Sequence, residues 1–151
     1  MSYVSDIRAL IGKTPLILVG VCGILTNEHG HILLQKRTDS KAWGLPGGLM
    51  ELKETAEMTL RRELLEELAI CITETKFFGI YTNRPIITYP NGDQSQPIGI
   101  FFTCTTDDTP SANDETFEIG YFSKEKLPEN IFSIHREPIL DYFDGRTDLI
   151  K

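Results

Sequence analysis

The sequence predicts a single α/β domain, and three observations support that fold class. A chain of 151 residues fits one domain with a substantial hydrophobic core. Short apolar segments rich in β-branched residues alternate with turn signals, which predicts several strands. Residues 55–69 contain neither Gly nor Pro and consist mainly of good helix formers, which predicts a central helix. Because no repeat or linker interrupts this order, residues 1–151 are expected to form one unit.

The first half of the chain is expected to supply a peripheral segment and two strands. Apolar residues recur at helical spacing within residues 1–14, which indicates a short amphipathic helix or an extended arm. Residues 16–26 are apolar nearly throughout, as in a strand that is buried on both faces. Turn-forming residues follow, and a second strand is expected over residues 31–37.

The second half is expected to supply further strands and a terminal helix. The predicted strands cover residues 76–90, 96–106 and 116–123, and the predicted helix covers residues 135–143. The first of these strands should break near Pro85, and Asn91-Gly92 predicts a tight hairpin after it. Pro138 is compatible with the helix if it lies within the first turn.

The charge balance narrows the class of partner and the location. Fifteen basic residues against twenty-two acidic ones give a formal net charge of −7. That balance argues against a nucleic-acid polymer or an anionic membrane surface as the partner, because both require a basic face. No stretch is apolar enough to span a membrane, and the first residues lack the features of a signal peptide. A cytoplasmic protein is therefore expected, and a homodimer is left open.

The central helix concentrates carboxylates beside an apolar stripe. Glu63, Glu66 and Glu67 fall within about a third of the helix circumference, next to leucines spaced four residues apart. Like charges crowded at the edge of a buried face repel, and a divalent cation would relieve that repulsion. Carboxylate oxygens are the ligands that hard cations such as Mg²⁺, Mn²⁺ or Ca²⁺ prefer. On these residues alone, a solvated charged helix face is the commoner alternative.

The segment 48–70 resembles the Nudix box of the MutT-like hydrolases. That signature reads Gly, five residues, Glu, seven residues, then Arg-Glu-apolar-any-Glu-Glu-any-Gly-apolar. The matching residues in this chain are Gly48, Glu54, Arg62, Glu63, Leu64, Glu66, Glu67 and Ile70. Ala69 departs from the pattern, which has Gly there. In a left-handed helix terminus an alanine would cost roughly 1 kcal/mol, so the helix is expected either to accept that cost or to run on towards Cys71.

The resemblance implies a fold, an activity and a cofactor. The implied fold is a Nudix-type α/β/α sandwich with a mixed β-sheet. The implied activity is metal-dependent hydrolysis of a pyrophosphate bond in a nucleoside diphosphate linked to another moiety. Substrates of that class include ADP-ribose, nucleotide sugars, dinucleoside polyphosphates and modified nucleoside triphosphates. The implied cofactor is Mg²⁺ or Mn²⁺.

The family pattern also implies site residues. The expected metal ligands are Gly47, through its carbonyl, and Glu63, Glu66 and Glu67. Arg62 would hold the carboxylates in place, with Glu54 as support. The group that activates the attacking water is either a box glutamate or an acid of a later loop. Glu115 and Glu118 are the candidates in that loop, and Glu118 is the one favoured there.

Four side chains outside the box are candidate substrate contacts. They are Arg37, Tyr81, Arg84 and Tyr89. The tyrosines could stack on a base, and the arginines could bind a phosphate. Half-buried strand residues with no role in binding are the alternative for each.

Two rival functions share the same fold. A non-catalytic nucleotide-sensing module would bind a nucleotide without turning it over. An isomerase acting on a prenyl diphosphate would need additional catalytic Cys and Glu residues, and the positions of the cysteines give that function no support. The intact set of glutamates favours the hydrolase.

Overall fold

A computed structural model describes residues 2–114 and 116–151 of the chain. The helices are α1 (Tyr3–Ile11), α2 (Ala56–Leu68) and α3 (Ser133–Phe143), and a 3₁₀ turn covers Lys124–Lys126. The strands, in chain order, are β1 (Leu16–Leu25), β2 (Ile32–Arg37), β3 (Trp43–Gly44), β4 (Gly47–Leu49), β5 (Ile72–Tyr81), β6 (Ile87–Thr88), β7 (Gln94–Thr106), β8 (Thr116–Phe122) and β9 (Leu149–Ile150). Within the described residues, no helix combines the length and apolarity needed to cross a bilayer.

The strands form a mixed sheet and a smaller antiparallel one. The larger sheet has the order β4-β1-β7-β5-β9, and β6 pairs with β7 beside this path. Strands β1 and β7 run parallel, whereas β4 pairs antiparallel with β1 and β5 antiparallel with β7. The smaller sheet has the order β3-β2-β8. The sequence predicted the mixed sheet but not the separation of β2 and β8 from it.

Helices α2 and α3 cover opposite faces of the larger sheet. The leucines of α2 pack in one cluster with Val21 and Leu25 of β1. Ile139 of α3 packs in a second cluster with Cys22 and Ile24 of the same strand. Because successive side chains of a strand point to opposite faces, β1 is buried on both sides, as predicted. The result is the predicted α/β/α sandwich.

The N-terminal segment is helical, and polar contacts hold it in place. Ser2 is the N-cap of α1, and no residue of this helix is buried. The backbone N–H of Tyr3 donates to the Glu51 carboxylate at 2.8 Å. The Arg8 guanidinium donates to the carbonyl of Gln94, next to the hairpin turn between β6 and β7. Helix α1 therefore links the loop before α2 to that hairpin.

The terminal helix begins earlier than its sequence indicated. Helix α3 starts at Ser133, so Pro138 is its sixth residue and lies in the second turn, not the first. The expectation for Pro138 was therefore wrong. Proline has no N–H, so the usual helical bond to the carbonyl of Ile134 is lost. Pro138 is buried in the helix, and its packing there offsets part of that loss.

Helix α2 ends in a left-handed residue at the position where the family pattern has Gly. Ala69 has φ 56° and ψ 37°, and its N–H donates to the carbonyls of Leu64 and Leu65. The bond from Ala69 to Leu65 is that of an αL cap, and the N–H of Ile70 also reaches the carbonyl of Leu64 at 3.4 Å. Ile70 is fully buried beside the leucines of α2. The helix therefore accepts the strain at Ala69, and the alternative extension towards Cys71 is wrong.

Ala69→Gly is expected to raise the free energy of unfolding by about 1 kcal/mol, because glycine adopts positive φ without a Cβ clash. For a chain of this size that gain corresponds to a rise in Tm of about 2–4 °C. Urea denaturation of both proteins measures it. Ala9→Gly, an exposed position inside α1 with ordinary helical geometry, is the matched control and should give no gain. Equal or lower stability of Ala69→Gly would show that Ala69 is not strained.

Candidate active site

Two glycines of β4 let the backbone approach the glutamate face of α2. Gly47 has φ +150°, and a Cβ there would overlap the backbone of Val21. A Cβ on Gly48 would overlap the carboxyl group of Glu63. Glu67, one turn further along α2, accepts a hydrogen bond from the Gly47 N–H at 3.4 Å. The missing side chain at Gly48 therefore lets Glu63 lie against β4, and the missing side chain at Gly47 lets β4 approach β1 closely.

Arg62 lies among three carboxylates. Its Nε and Nη2 donate to the two oxygens of Glu54 at 2.6 and 2.9 Å. Its Nη1 donates to Glu63 at 2.7 Å and lies 3.4 Å from an oxygen of Glu66. The bidentate contact with Arg62 lowers the pKa of Glu54 to about 2. The side chain of Arg62 therefore ties the loop before α2 to the first two turns of the helix.

Glu67 is held from the sheet side by a residue that the sequence analysis missed. Gln35 of β2 donates from Nε2 to the Glu67 Oε2 at 2.6 Å. The Oε1 of Gln35 accepts from the Thr116 hydroxyl at 3.2 Å. Gln35 is itself buried. A polar residue in the otherwise apolar run at the start of β2 was the signal that could have identified it.

The two innermost glutamates resist ionisation. Burial raises the pKa of Glu67 to about 7, and the charge of Glu63 adds to the increase against the hydrogen bond from Gln35. Burial also raises the pKa of Glu63, and the contact with Arg62 opposes that rise. Ionising both carboxylates together is unfavourable, so a positive charge placed between them would be stabilised.

Two adjoining cavities meet at these carboxylates. The acidic cavity, of about 280 Å³, is lined by Glu63 and Glu67 and, on the side of α1, by Ser2 and Val4. The apolar cleft, of about 460 Å³, lies between the larger sheet and the start of α3. The residues that line both spaces are Gln35, Arg37, Gly47, Gly48 and Leu49. A ligand with one charged and one apolar part could occupy both.

The donor atoms at the acidic cavity suit a hard divalent cation. They are the carboxylate oxygens of Glu63 and Glu67, beside the backbone of Gly47 and Gly48 in the cavity lining, and Mg²⁺ and Mn²⁺ prefer oxygen ligands. Glu66 is more than half exposed and lines neither cavity. Across residues 2–114 and 116–151, no three His, Cys, Asp or Glu side chains group closely enough to hold a metal ion. The fit therefore rests on two carboxylates and backbone oxygens.

Three of the predicted substrate contacts line the apolar cleft. Arg37 lies at its boundary with the acidic cavity and is paired with Asp39 at 3.0 and 3.1 Å. Arg84 is mostly buried and donates to Glu137 at 2.7 Å. Within the described part of the chain its Nη2 is buried without a hydrogen-bond partner. Tyr89 lies in the hairpin turn at the cleft wall.

Tyr81 does not reach the cleft. Its side chain is fully buried, and its hydroxyl donates to Asp141 at 2.8 Å. The Arg84 guanidinium lies 4.8 Å from the centre of the Tyr81 ring, so the ring supports that arginine from behind. The expectation that Tyr81 contacts substrate is corrected accordingly: strand alternation turns its ring into the core.

Of the two loop acids, the structure describes Glu118, and its position does not favour a later-loop base. Glu118 pairs with Lys36 across β2 and β8, so its exposed side chain lies on the face opposite Gln35. Gln35 faces Glu67, so Glu118 points away from the carboxylates. Its expected role as the activating acid is therefore not supported. Glu115 lies outside the described residues.

Arg62→Met is expected to lower the free energy of unfolding by about 2 kcal/mol, because Glu54 and Glu63 would each keep a mostly buried charge without its partner. Part of the guanidinium is exposed, so the loss should fall below that of a fully buried pair. Urea denaturation in metal-free buffer measures it. Arg61→Met is the control, because Arg61 pairs with the half-exposed Glu57 and should cost less than about 1 kcal/mol. Equal losses for both variants would contradict the organising role of Arg62.

Comparison with known proteins assigns the chain to a family. The family model described as the NUDIX domain matches residues 16–143. A MutT-like protein of Streptomyces ambofaciens is 28% identical over 134 residues, which cover 87% of this chain and 80% of that protein. An ADP-ribose pyrophosphatase of Methanocaldococcus jannaschii is 27% identical over 128 residues, which cover 82% of this chain and 72% of that protein. The crystal structure of a NUDIX hydrolase from Nitrosomonas europaea shares the fold, with a TM-score of 0.70 and 24% identity over 88% of this chain and 77% of that one. The match of the family model to most of the chain, together with the shared fold, shows that this chain belongs to the Nudix family as a pyrophosphohydrolase.

Proposed function

We propose that this chain hydrolyses the pyrophosphate bond of a nucleoside diphosphate derivative with the help of Mg²⁺ or Mn²⁺. Glu63, Glu67 and the carbonyl of Gly47 would hold the ion, with Glu66 beside them. The junction of the acidic cavity with the apolar cleft carries the proposal. A substrate of this class has a charged diphosphate next to a largely apolar base, and the two cavities match those two parts.

The protein's own side chains would orient the carboxylates that hold the ion. A bound divalent ion would offset the charge of the diphosphate and lower the pKa of a coordinated water. Arg62 holds Glu63 in one orientation through its contact at 2.7 Å. Gln35 and the Gly47 N–H both donate to Oε2 of Glu67, which fixes that carboxylate from two sides. Such fixed ligands reduce the reorganisation needed when charge develops in the transition state.

We assign the removal of the water's proton to a box carboxylate. Glu63 and Glu67 line the acidic cavity, where the diphosphate would lie. Glu118 is on the other face of its sheet. A base must lie within hydrogen-bond reach of the proton that it takes, which favours the carboxylates of α2.

The proposed substrate class is a purine nucleotide derivative, with ADP-ribose as the first compound to test. The relative named ADP-ribose pyrophosphatase motivates this choice. Arg37, at the boundary of the two cavities, is placed to contact a phosphate, and arginine suits that task through its planar set of donors. Arg84 and Tyr89 would contact the base or the sugar from the cleft wall.

A direct assay tests the proposal. The protein is incubated with Mg²⁺ or Mn²⁺ and a panel of ADP-ribose, nucleotide sugars, dinucleoside polyphosphates and nucleoside triphosphates, and nucleotide products are measured. Turnover that stops with EDTA and returns with excess metal is expected. Binding of a nucleotide without any turnover would favour the sensing module instead. Conversion of a prenyl diphosphate without phosphate release would favour the isomerase.

Glu67→Gln is expected to reduce kcat/KM by on the order of 100-fold or more, because the loss of residues that only support metal ligands already costs 10–100-fold. Glu66→Gln should cost less, since Glu66 is exposed and lines neither cavity. Steady-state kinetics on the best substrate measure both. Glu28→Gln, in the exposed turn before β2, is the control and should leave the rate unchanged. A fully active Glu67→Gln protein would contradict the assignment of this carboxylate.

Gly48→Ala is expected to abolish most of the stabilisation by Mn²⁺, because the new Cβ would displace the Glu63 carboxyl group. A ligand that binds only the folded protein raises Tm by an amount that grows with the logarithm of [ligand]/Kd, so the rise in Tm with added Mn²⁺ reports the site. Gly20→Ala is the matched control on the neighbouring strand, because its Cβ would meet other atoms only at 3.9 Å. An unchanged Mn²⁺ response of Gly48→Ala would show that the close approach of β4 does not matter for the ion.

A further inference from the structure

His135 of α3 lies at the wall of the apolar cleft and belongs to no motif of the sequence. It is 8% exposed and stands between the rings of Phe101 and Phe132, with centroids 6.0 and 5.2 Å away. Both of those phenylalanines also line the cleft. Burial, together with the charges of Arg37 and Arg84, lowers the pKa of His135 to about 3. The ring is therefore neutral at physiological pH.

The backbone fixes which ring nitrogen of His135 carries the proton. Nδ1 accepts a hydrogen bond from the backbone N–H of Leu45 at 3.1 Å. A neutral imidazole has one donor and one acceptor, so the proton must be on Nε2. A Cβ on Gly44 would lie 2.8 Å from Nδ1, so the absence of a side chain there leaves room for this contact.

Among the described residues, the Nε2 donor of His135 has only a weak acceptor. Its neighbour is the Sγ of Cys22 at 3.5 Å. A thiol sulfur accepts hydrogen bonds poorly, and an N–H donor in apolar surroundings gains from a better acceptor. Cys22 and His135 both line the cleft, so a ligand there could supply one.

We propose that His135 is a specificity-determining residue whose Nε2–H donates a hydrogen bond to a ring nitrogen of a purine base in the apolar cleft. The inference rests on the proposed function, and in particular on a purine nucleotide as the ligand. The base would lie among Phe101, Phe132 and Leu45, which would cover its apolar faces. The one fixed donor would then distinguish a base with an acceptor at the right edge from one without it.

Binding of adenosine monophosphate and its 1-deaza, 3-deaza and 7-deaza analogues tests the proposal. Each analogue replaces one ring nitrogen by C–H, and isothermal titration calorimetry with Mg²⁺ present gives the affinities without any need for turnover. One analogue is expected to bind about tenfold more weakly than the parent, the effect of one lost hydrogen bond to a buried donor. Equal affinities within twofold for all four compounds, or no binding of any of them, would overturn the proposal.

Two isosteric variants separate the donor from the structural contact. In His135→Asn the side-chain oxygen takes the place of Nδ1 and can accept from Leu45, but no donor reaches the position of Nε2. In His135→Gln the amide nitrogen can take the place of Nε2 and donate. The tenfold discrimination should vanish in His135→Asn and persist at least in part in His135→Gln. His29→Asn, in an exposed turn, is the control and should keep it. Retention of the full discrimination by His135→Asn would refute the assignment.

The same compounds distinguish a failure of the role proposed for His135 from a failure of the hydrolase proposal. If wild-type protein discriminates among the monophosphates but hydrolyses no nucleotide in the panel, the base-reading role stands and the hydrolase proposal fails. If it hydrolyses ADP-ribose with equal affinity for all four monophosphates, the hydrolase proposal stands and the role of His135 fails. Where a variant unfolds, the comparison of the four compounds on wild-type protein decides alone.

Discussion

The site depends on the close approach of β4 to one face of α2. Gly48 has no side chain, so the strand lies directly against the carboxyl group of Glu63, and the N–H of Gly47 donates to Glu67. This contact leaves the two carboxylates mostly buried and close together, which opposes their ionisation. Arg62 compensates part of that cost from the solvent side. A divalent cation would neutralise the negative charge that Arg62 leaves unbalanced. The packing of β4 against α2 therefore also favours binding of a cation.

Polar contacts extend this arrangement beyond the family's matched region. Arg62 bonds to Glu54 and thereby ties the loop before α2 to the helix. In the same loop, Glu51 accepts from the N–H of Tyr3 in α1. Helix α1 reaches the hairpin on its other side through Arg8. Because α1 buries no residue, these directional contacts and not apolar packing set its position against the acidic cavity.

The parts of the structure that the sequence could predict are those with a local physical signal. Helical periodicity located α2, and charge crowding on that helix located the carboxylates. The family pattern isolated Ala69, whose left-handed geometry the structure confirms. Gln35 and Tyr81 could not be placed in the same way. The contact of Gln35 with Glu67 depends on which strand lies opposite that glutamate. The direction of the Tyr81 ring depends on which face of β5 is covered. Both are properties of the assembled fold.

Under the proposed function, the acidic cavity carries the chemistry and the apolar cleft selects the substrate. The acidic cavity takes its carboxylates from a motif with fixed spacing, so its geometry follows from one helix and one short strand. The apolar cleft is assembled from distant segments, including β7, the hairpin turn and α3, none of which belongs to the motif. Changes in those segments can alter the moiety that fits without disturbing Glu63 or Glu67. The proposed selection of a base would therefore depend on non-local contacts such as that between His135 and Leu45, which no spacing rule in the sequence encodes.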